Sequence, residues 1–193
     1  MKSRKVPSAL TIIVVIILFI YYALTSNNSA STPSTPQPLT PTVPQSVTPG
    51  SSGSIGQRTK TTDCVSVNAM PDSACTPGAI FPDATKDKIC VPGYSSKVRN
   101  VPDSVKNNAY AEYGVVSHTT GQYEVDHLIS LELGGSNDIA NLWPEPADPR
   151  PGFHEKDKVE NYLHDQVCSG NMSLQDAQSK IANDWFSVYQ TLP

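Results

Sequence analysis

The residues best suited to chemistry lie between Tyr123 and His154, where acidic, imidazole and amide side chains follow one another closely. Asp126 stands directly before His127, Asn141 comes later in a loop, and His154 opens a segment with helical periodicity. A neutral imidazole can take a proton from water near neutral pH. A divalent cation can balance developing negative charge and assist a leaving oxygen. These are the requirements for hydrolysis of a phosphodiester bond.

Three elements must hold these side chains together. The segment 122–131 alternates apolar and polar residues, which predicts a strand, and the segment 134–138 predicts a turn. The segment 154–167 predicts a helix that Gly170 ends. Because neighbouring strand residues point to opposite faces, Asp126 and His127 can serve one site only if the strand bulges or ends there.

This order of strand, Asn-bearing loop and His-bearing helix resembles the HNH, or ββα-metal, endonucleases. The string DHLISLELGGSNDIANLWPEP (126–146) is similar to small exported members of that family. The resemblance covers nearly all of residues 74–189. Five flanking pieces resemble the same group: ACTPGA, ICVPGY, KDKVEN, VCSG and LQDAQSKIANDW.

The resemblance implies an α+β domain that contains a ββα-metal motif and C-terminal helices. It implies that Asp126 binds a metal ion, that His127 is the general base and that Asn141 steadies the loop and orients the base. It also implies that His154 is the second metal ligand, with Mg²⁺ or Zn²⁺ as the single ion. The segment between Asn141 and His154 is longer than in compact HNH motifs and contains four prolines. Three other residues are therefore alternative ligands: Glu155, Asp157 and His164.

The expected function is metal-dependent hydrolysis of phosphodiester bonds outside the cytoplasm, with DNA favoured over RNA as the substrate. Residues 1–60 carry a net charge of +5 and residues 61–193 a net charge of −9. This balance excludes a histone-like or broadly polybasic protein, which would bind by neutralising phosphates. It also favours the alternative function, a catalytically inactive extracytoplasmic binding domain on the same scaffold.

The N-terminus has the features of an export signal. An uncharged apolar run, residues 9–24, follows three basic residues and, with its flanks, approaches the ~20 residues that cross a bilayer. It predicts an uncleaved membrane anchor over residues 1–25, with a cleaved signal peptide as the alternative. Because no second long apolar run exists, a multi-span membrane protein is excluded. Residues 26–60 are rich in Ser, Thr and Pro, which predicts a disordered linker before a folded domain at 61–193.

Four cysteines behind an export signal predict two disulfides. Four cysteines allow three pairings. We favour Cys64–Cys75, which closes a local loop, and Cys90–Cys168, which ties the N-terminal segment to a late helix. A zinc site is the competing interpretation, although the chain has no Cys-x-x-Cys pair.

The remaining segments have weaker signals. Turn residues predict an irregular segment over 64–100, and a helix is expected from Asp103 or Ser104 to Tyr113. A last helix is expected to begin at Ser173 and to bury a stripe of apolar residues: Leu174, Ala177, Ile181, Trp185 and Val188. Trp143 is expected in the core. Lys156 and Lys158 are expected either to contact phosphates or to form a solvated helix start.

Overall fold

The computed structural model describes residues 53–193. The predicted anchor (1–25) and most of the predicted linker lie outside the described residues. Residues 53–193 form a small α+β domain in which a two-stranded antiparallel hairpin is followed by two long helices. None of the helices in this part of the chain has the length and hydrophobicity needed to cross a bilayer.

The N-terminal half contains short elements. Strands β1 (Gly53–Ser54) and β2 (Ala79–Ile80) pair antiparallel, so two residues of the predicted linker join a sheet. Three helices follow: α1 (Lys86–Ile89), α2 (Tyr94–Val98) and α3 (Asp103–Glu112). The segment expected to be irregular thus contains two short helices.

The hairpin consists of β3 (Tyr123–His127) and β4 (Leu142–Pro146), with His127 opposite Leu142. Strand β3 is shorter than the predicted strand. Leu128 still donates its backbone N–H to the Asn141 carbonyl at 2.8 Å in the register of the hairpin, but the Ile129 N–H bonds to the Asn141 side chain. The connecting loop contains two single 3₁₀ turns, Leu131–Leu133 and Ile139–Asn141.

Two long helices complete the domain. Helix α4 (Phe153–Ser169) ends at Gly170, whose φ of +86° favours glycine. Helix α5 (Leu174–Gln190) begins at the predicted cap, where Ser173 Oγ accepts the Asp176 N–H at 3.0 Å.

The core lies where α4 packs against α5 and the loop between the strands. Three residues of the predicted stripe of α5 are buried in this core: Ala177, Ile181 and Trp185. Its other buried members come from earlier in the chain: Ile89, Ile129, Leu133, Val159, Leu163 and Val167. Leu174 and Val188 are partly buried against it. Trp143 is also fully buried, as expected.

Both disulfides have the favoured pairing, Cys64–Cys75 and Cys90–Cys168. Cys90 directly follows α1 and Cys168 lies in the last turn of α4, so the second bond joins these two helices. Disulfides persist in oxidising compartments, which points to an extracytoplasmic location for the domain.

Candidate functional site

His127 is the last residue of β3, so the strand ends at the point where Asp126 and His127 must serve one site. The residue is 2% exposed, and its Nε2 lies 3.2 Å from Asn137 Oδ1. Burial lowers the pKa of His127 to about 4, although the charge of Asp126 acts in the opposite direction. The imidazole is therefore neutral at physiological pH, which is the form that accepts a proton from water.

A buried ion pair holds Asp126. The ammonium of Lys156, near the start of α4, lies 2.7 Å from Asp126 Oδ2 and 2.7 Å from the His127 carbonyl oxygen. Lys156 is 0% exposed, so the expectation of a solvated or phosphate-binding lysine is wrong at this position. Burial acts to raise the pKa of Asp126, but the attraction of Lys156 outweighs it and holds that pKa below its usual value.

Two further carboxyls surround the same ammonium. Glu160, one turn after Lys156, contacts it directly, and Glu145 Oε2 lies 4.0 Å from Nζ. Burial is the dominant effect on both: it raises the pKa of Glu160 to about 7 and the pKa of Glu145 well above its usual value. The ammonium therefore faces one firmly ionised carboxylate and two carboxyls that tend to keep their protons.

The burial of Glu145 predicts a pH-dependent contribution to stability. Within residues 53–193 no N–H or hydroxyl group donates to either of its oxygens, and a protonated Glu145 can itself donate to the carboxylate of Asp126. In an unfolded chain a glutamate releases its proton at about pH 4.3, whereas in the folded chain Glu145 keeps its proton to a higher pH. Because the folded state then binds more protons, this carboxyl lowers the free energy of unfolding as pH rises above that value. We expect Glu145→Gln to remove this loss, so that the variant gains stability relative to the wild type as pH rises.

Urea unfolding at about pH 4.5 and about pH 8, with both disulfides intact, measures this difference. Glu132→Gln is the matched control, because Glu132 lies partly exposed in a 3₁₀ turn. A stability difference between Glu145→Gln and the wild type that is the same at both pH values would contradict the prediction.

Asn141 uses its side chain to hold the loop between the strands. Its Nδ2 donates to the carbonyl oxygens of Ile129 (3.0 Å) and Ser136 (2.9 Å). Its Oδ1 accepts the backbone N–H of Ile129 (2.9 Å) and of Ala79 (3.4 Å). The buried amide is thereby committed to the main chain, so the geometry gives Asn141 a positioning role for the loop that follows His127.

The Gly-Gly turn belongs to the same structural unit. A Cβ on Gly135 would lie 1.7 Å from the Ile129 carbonyl oxygen and 2.9 Å from Asn141 Nδ2. Gly134 has a φ of +76°, in the left-handed region. Two glycines are therefore needed for the loop to close against the Asn141 amide.

His154 and two of its predicted alternatives occupy different surroundings. His154 is exposed in the first turn of α4, next to the acidic mouth described below. Glu155 caps the helix, accepting the Gly152 N–H at 3.1 Å. His164 lies about three turns farther along α4, with its Nε2 3.4 Å from Cys168 Sγ. Glu155 is therefore committed to the helix start, and His164 belongs to the disulfide end of α4.

The third alternative, Asp157, lies close to Asp126 and one turn after His154. Burial and the negative charge of Asp126 raise the pKa of Asp157. Burial, Asp126 and Asp157 likewise raise the pKa of Glu124. We call these three carboxyls, Glu124, Asp126 and Asp157, the acidic mouth. Glu124 and Asp157 reach the surface, although their neighbours shield both carboxyls in part from water, and neither forms an ion pair within residues 53–193.

The acidic mouth offers oxygen donors, although its three carboxyls do not come within 4.8 Å of one another in the described part of the chain. Mg²⁺ takes oxygen ligands and is usually held by one or two carboxylates while it keeps several waters. A bound cation would also relieve the mutual repulsion that raises the pKa values of Glu124 and Asp157. Oxygen donors of this kind are ones that Mg²⁺ and Mn²⁺ take, whereas Zn²⁺ prefers nitrogen and sulfur ligands.

A second group of potential metal ligands lies elsewhere. Within the described part of the chain, one set of three His, Cys, Asp or Glu ligand atoms falls within 4.8 Å: Cys90, His164 and Cys168. The donor set is one that Zn²⁺ takes. Because Cys90 and Cys168 form a disulfide, both sulfurs are used in the bond, and a metal could bind there only after reduction.

The sequence analysis missed or misplaced four residues of this site: Asn137, Glu145, Lys156 and Glu160. A signal existed for Lys156, because it continues the buried face of α4 at helical spacing: Phe153, Val159, Leu163 and Val167. Asn137 has no comparable signal, because its partners lie far away in the sequence.

Comparison with protein-family models, with curated proteins and with solved structures finds no match to this chain. The function must therefore be argued from the site and from the sequence resemblance.

Proposed function

We propose that this protein is a metal-dependent endonuclease of the HNH type, which hydrolyses phosphodiester bonds of DNA outside the cytoplasm. The observation that carries the proposal is the place of His127, a buried histidine that contacts Asn137 at the end of a hairpin strand and directly follows Asp126 of the acidic mouth. An electrically neutral base next to a site of concentrated negative charge suits water activation beside a bound cation.

In this proposal each residue has one task. His127 takes a proton from the attacking water, and Asn141 keeps the following loop in place. Asp126, Asp157 and His154 would hold the metal ion. When bound, that ion supplies positive charge for the phosphate oxygens and the leaving oxygen.

The acidic charge of the domain requires a local attraction for phosphate. Arg99, directly after α2, is exposed and forms no ion pair within residues 53–193. Its charge acts on Glu124, His127 and Asp157, so it lies on the same side of the domain as the acidic mouth. We assign it the phosphate contact, since arginine binds phosphate oxygens in a bidentate manner.

One observation favours a second function, the inactive binding domain. The Lys156 ammonium already balances Asp126, as a metal ion would. In that case the hairpin and helices would serve only as a scaffold. The two functions make opposite predictions for DNA cleavage.

We expect the full-length chain to nick supercoiled plasmid with Mg²⁺ or Mn²⁺ and to be inactive in EDTA. For Asp157→Asn, we expect the metal concentration for half-maximal activity to rise by about tenfold or more, since a ligand is lost. Asp165→Asn is the matched control on α4, because the Asp165 side chain is 82% exposed. Intact plasmid with every divalent metal would favour the binding domain.

A further inference from the structure

We propose that Asn137 is a positioning residue that fixes the tautomer of His127, so that Nδ1 is the nitrogen that takes the proton from water. The inference rests on the proposed nuclease function, because it assigns the basic atom of that site. It depends on three hydrogen bonds that share the Asn137 amide.

The orientation of the Asn137 amide is determined by two backbone partners. Its Nδ2 donates to the Val98 carbonyl oxygen at 2.8 Å, and its Oδ1 accepts the Asn100 N–H at 3.2 Å. A carbonyl oxygen can only accept and a backbone N–H can only donate. Exchanging the amide oxygen and nitrogen would lose both bonds, so Oδ1 is the atom that faces His127.

The orientation of Asn137 in turn determines where the His127 proton lies. Nε2 is 3.2 Å from Asn137 Oδ1, and an amide oxygen has no hydrogen to give. Nε2 must therefore carry the proton in this contact. A neutral imidazole has a single N–H, so Nδ1 keeps its lone pair.

Asn137 also connects the base to a distant segment. Val98 and Asn100 flank Arg99, and both are bonded to the amide that contacts His127. The backbone on either side of the proposed phosphate-binding arginine is thus tied to the proposed base. Asn141 has a different role, because its bonds hold the loop itself.

Nitrogen-15 NMR of the histidine-labelled full-length chain in detergent tests the tautomer directly. His127 resonances are assigned with the His127→Gln variant. We expect the wild type to show a single Nε2–H tautomer whose proton exchanges slowly with water. We expect Asn137→Ala to lose that slow exchange, whereas the exposed control Asn108→Ala keeps it. An Nδ1–H tautomer, or a rapidly exchanging mixture in the wild type, would overturn the proposal.

Kinetics supply the second readout. We expect Asn137→Ala to lower kcat by about 10- to 100-fold with little change in KM, the range for groups that orient a functional imidazole. Asn137→Asp, which keeps an acceptor oxygen toward Nε2, is expected to keep the Nε2–H tautomer. An active nuclease whose kcat is unchanged in Asn137→Ala would contradict the role of Asn137 alone. A wild-type chain with the Nε2–H tautomer but no nuclease activity would instead contradict the proposed function.

Discussion

We expect the His127→Ala variant to lose about 10²- to 10⁴-fold in the rate of plasmid nicking, the contribution typical of a positioned general base. The reason is that alanine leaves no group at the end of β3 that can accept a proton from water. Metal binding should change little, because the variant retains the three proposed metal ligands, Asp126, His154 and Asp157. The loss should therefore appear in kcat at saturating Mg²⁺.

The measurement is single-turnover nicking over a range of metal concentrations. His118→Ala is the matched control, because His118 is an exposed histidine whose ring stacks on Tyr110 at 4.3 Å. Free imidazole in the buffer should restore part of the His127→Ala rate, since the substitution opens space where the ring was. Equal rates for His127→Ala and the wild type would remove His127 from the mechanism.

The parts of the fold that follow from local pattern could be predicted from the sequence. Residues at helical spacing gave α4 and α5 nearly to their ends, and Gly170 and Ser173 marked the boundary between them. The disulfide pairing was also predicted, because Cys64 and Cys75 are near enough in the sequence to close a local loop, which leaves Cys90 to pair with Cys168 in the late helix. These features depend on residues close together in the chain or on simple topology.

The interior of the site could not be predicted in the same way. The four groups around Lys156 come from β3, β4 and α4, and their distances depend on how the hairpin lies on the helix. Glu145 and Lys156 both look like surface residues in a sequence of average composition. Only their shared burial shows that they are partners, because a buried charge needs an opposite one nearby.

The position of strand β3 shows the same limit on a smaller scale. Alternation predicted a strand as far as Leu131, but the strand ends at His127. The competing interaction is the Asn141 side-chain amide, which accepts the Ile129 N–H and donates to the Ile129 carbonyl oxygen. These bonds between residues twelve apart override local periodicity here.

Replacing Lys156 by methionine is expected to destabilise the protein by about 3–5 kcal/mol, the cost of removing one partner from a buried ion pair. The ammonium is 0% exposed and is shared by Asp126, Glu160 and the His127 carbonyl oxygen. Methionine fills much of the same volume, so packing is largely kept and the charge is what changes. Asp126 would then be a buried carboxylate without its partner.

The loss should be larger at pH 8 than at pH 5. Without the ammonium, burial would raise the pKa of Asp126 in the folded state, so the folded variant would bind more protons than the unfolded chain. Its free energy of unfolding would then fall as pH rises. Lys158→Met is the matched control, because Lys158 lies two residues farther along α4 with a side chain 59% exposed, and it should change stability by less than about 0.5 kcal/mol. Urea unfolding of both variants at the two pH values measures these differences. Equal and small losses of unfolding free energy in Lys156→Met and Lys158→Met would mean that the buried ion pair does not stabilise the fold on which the proposed site depends.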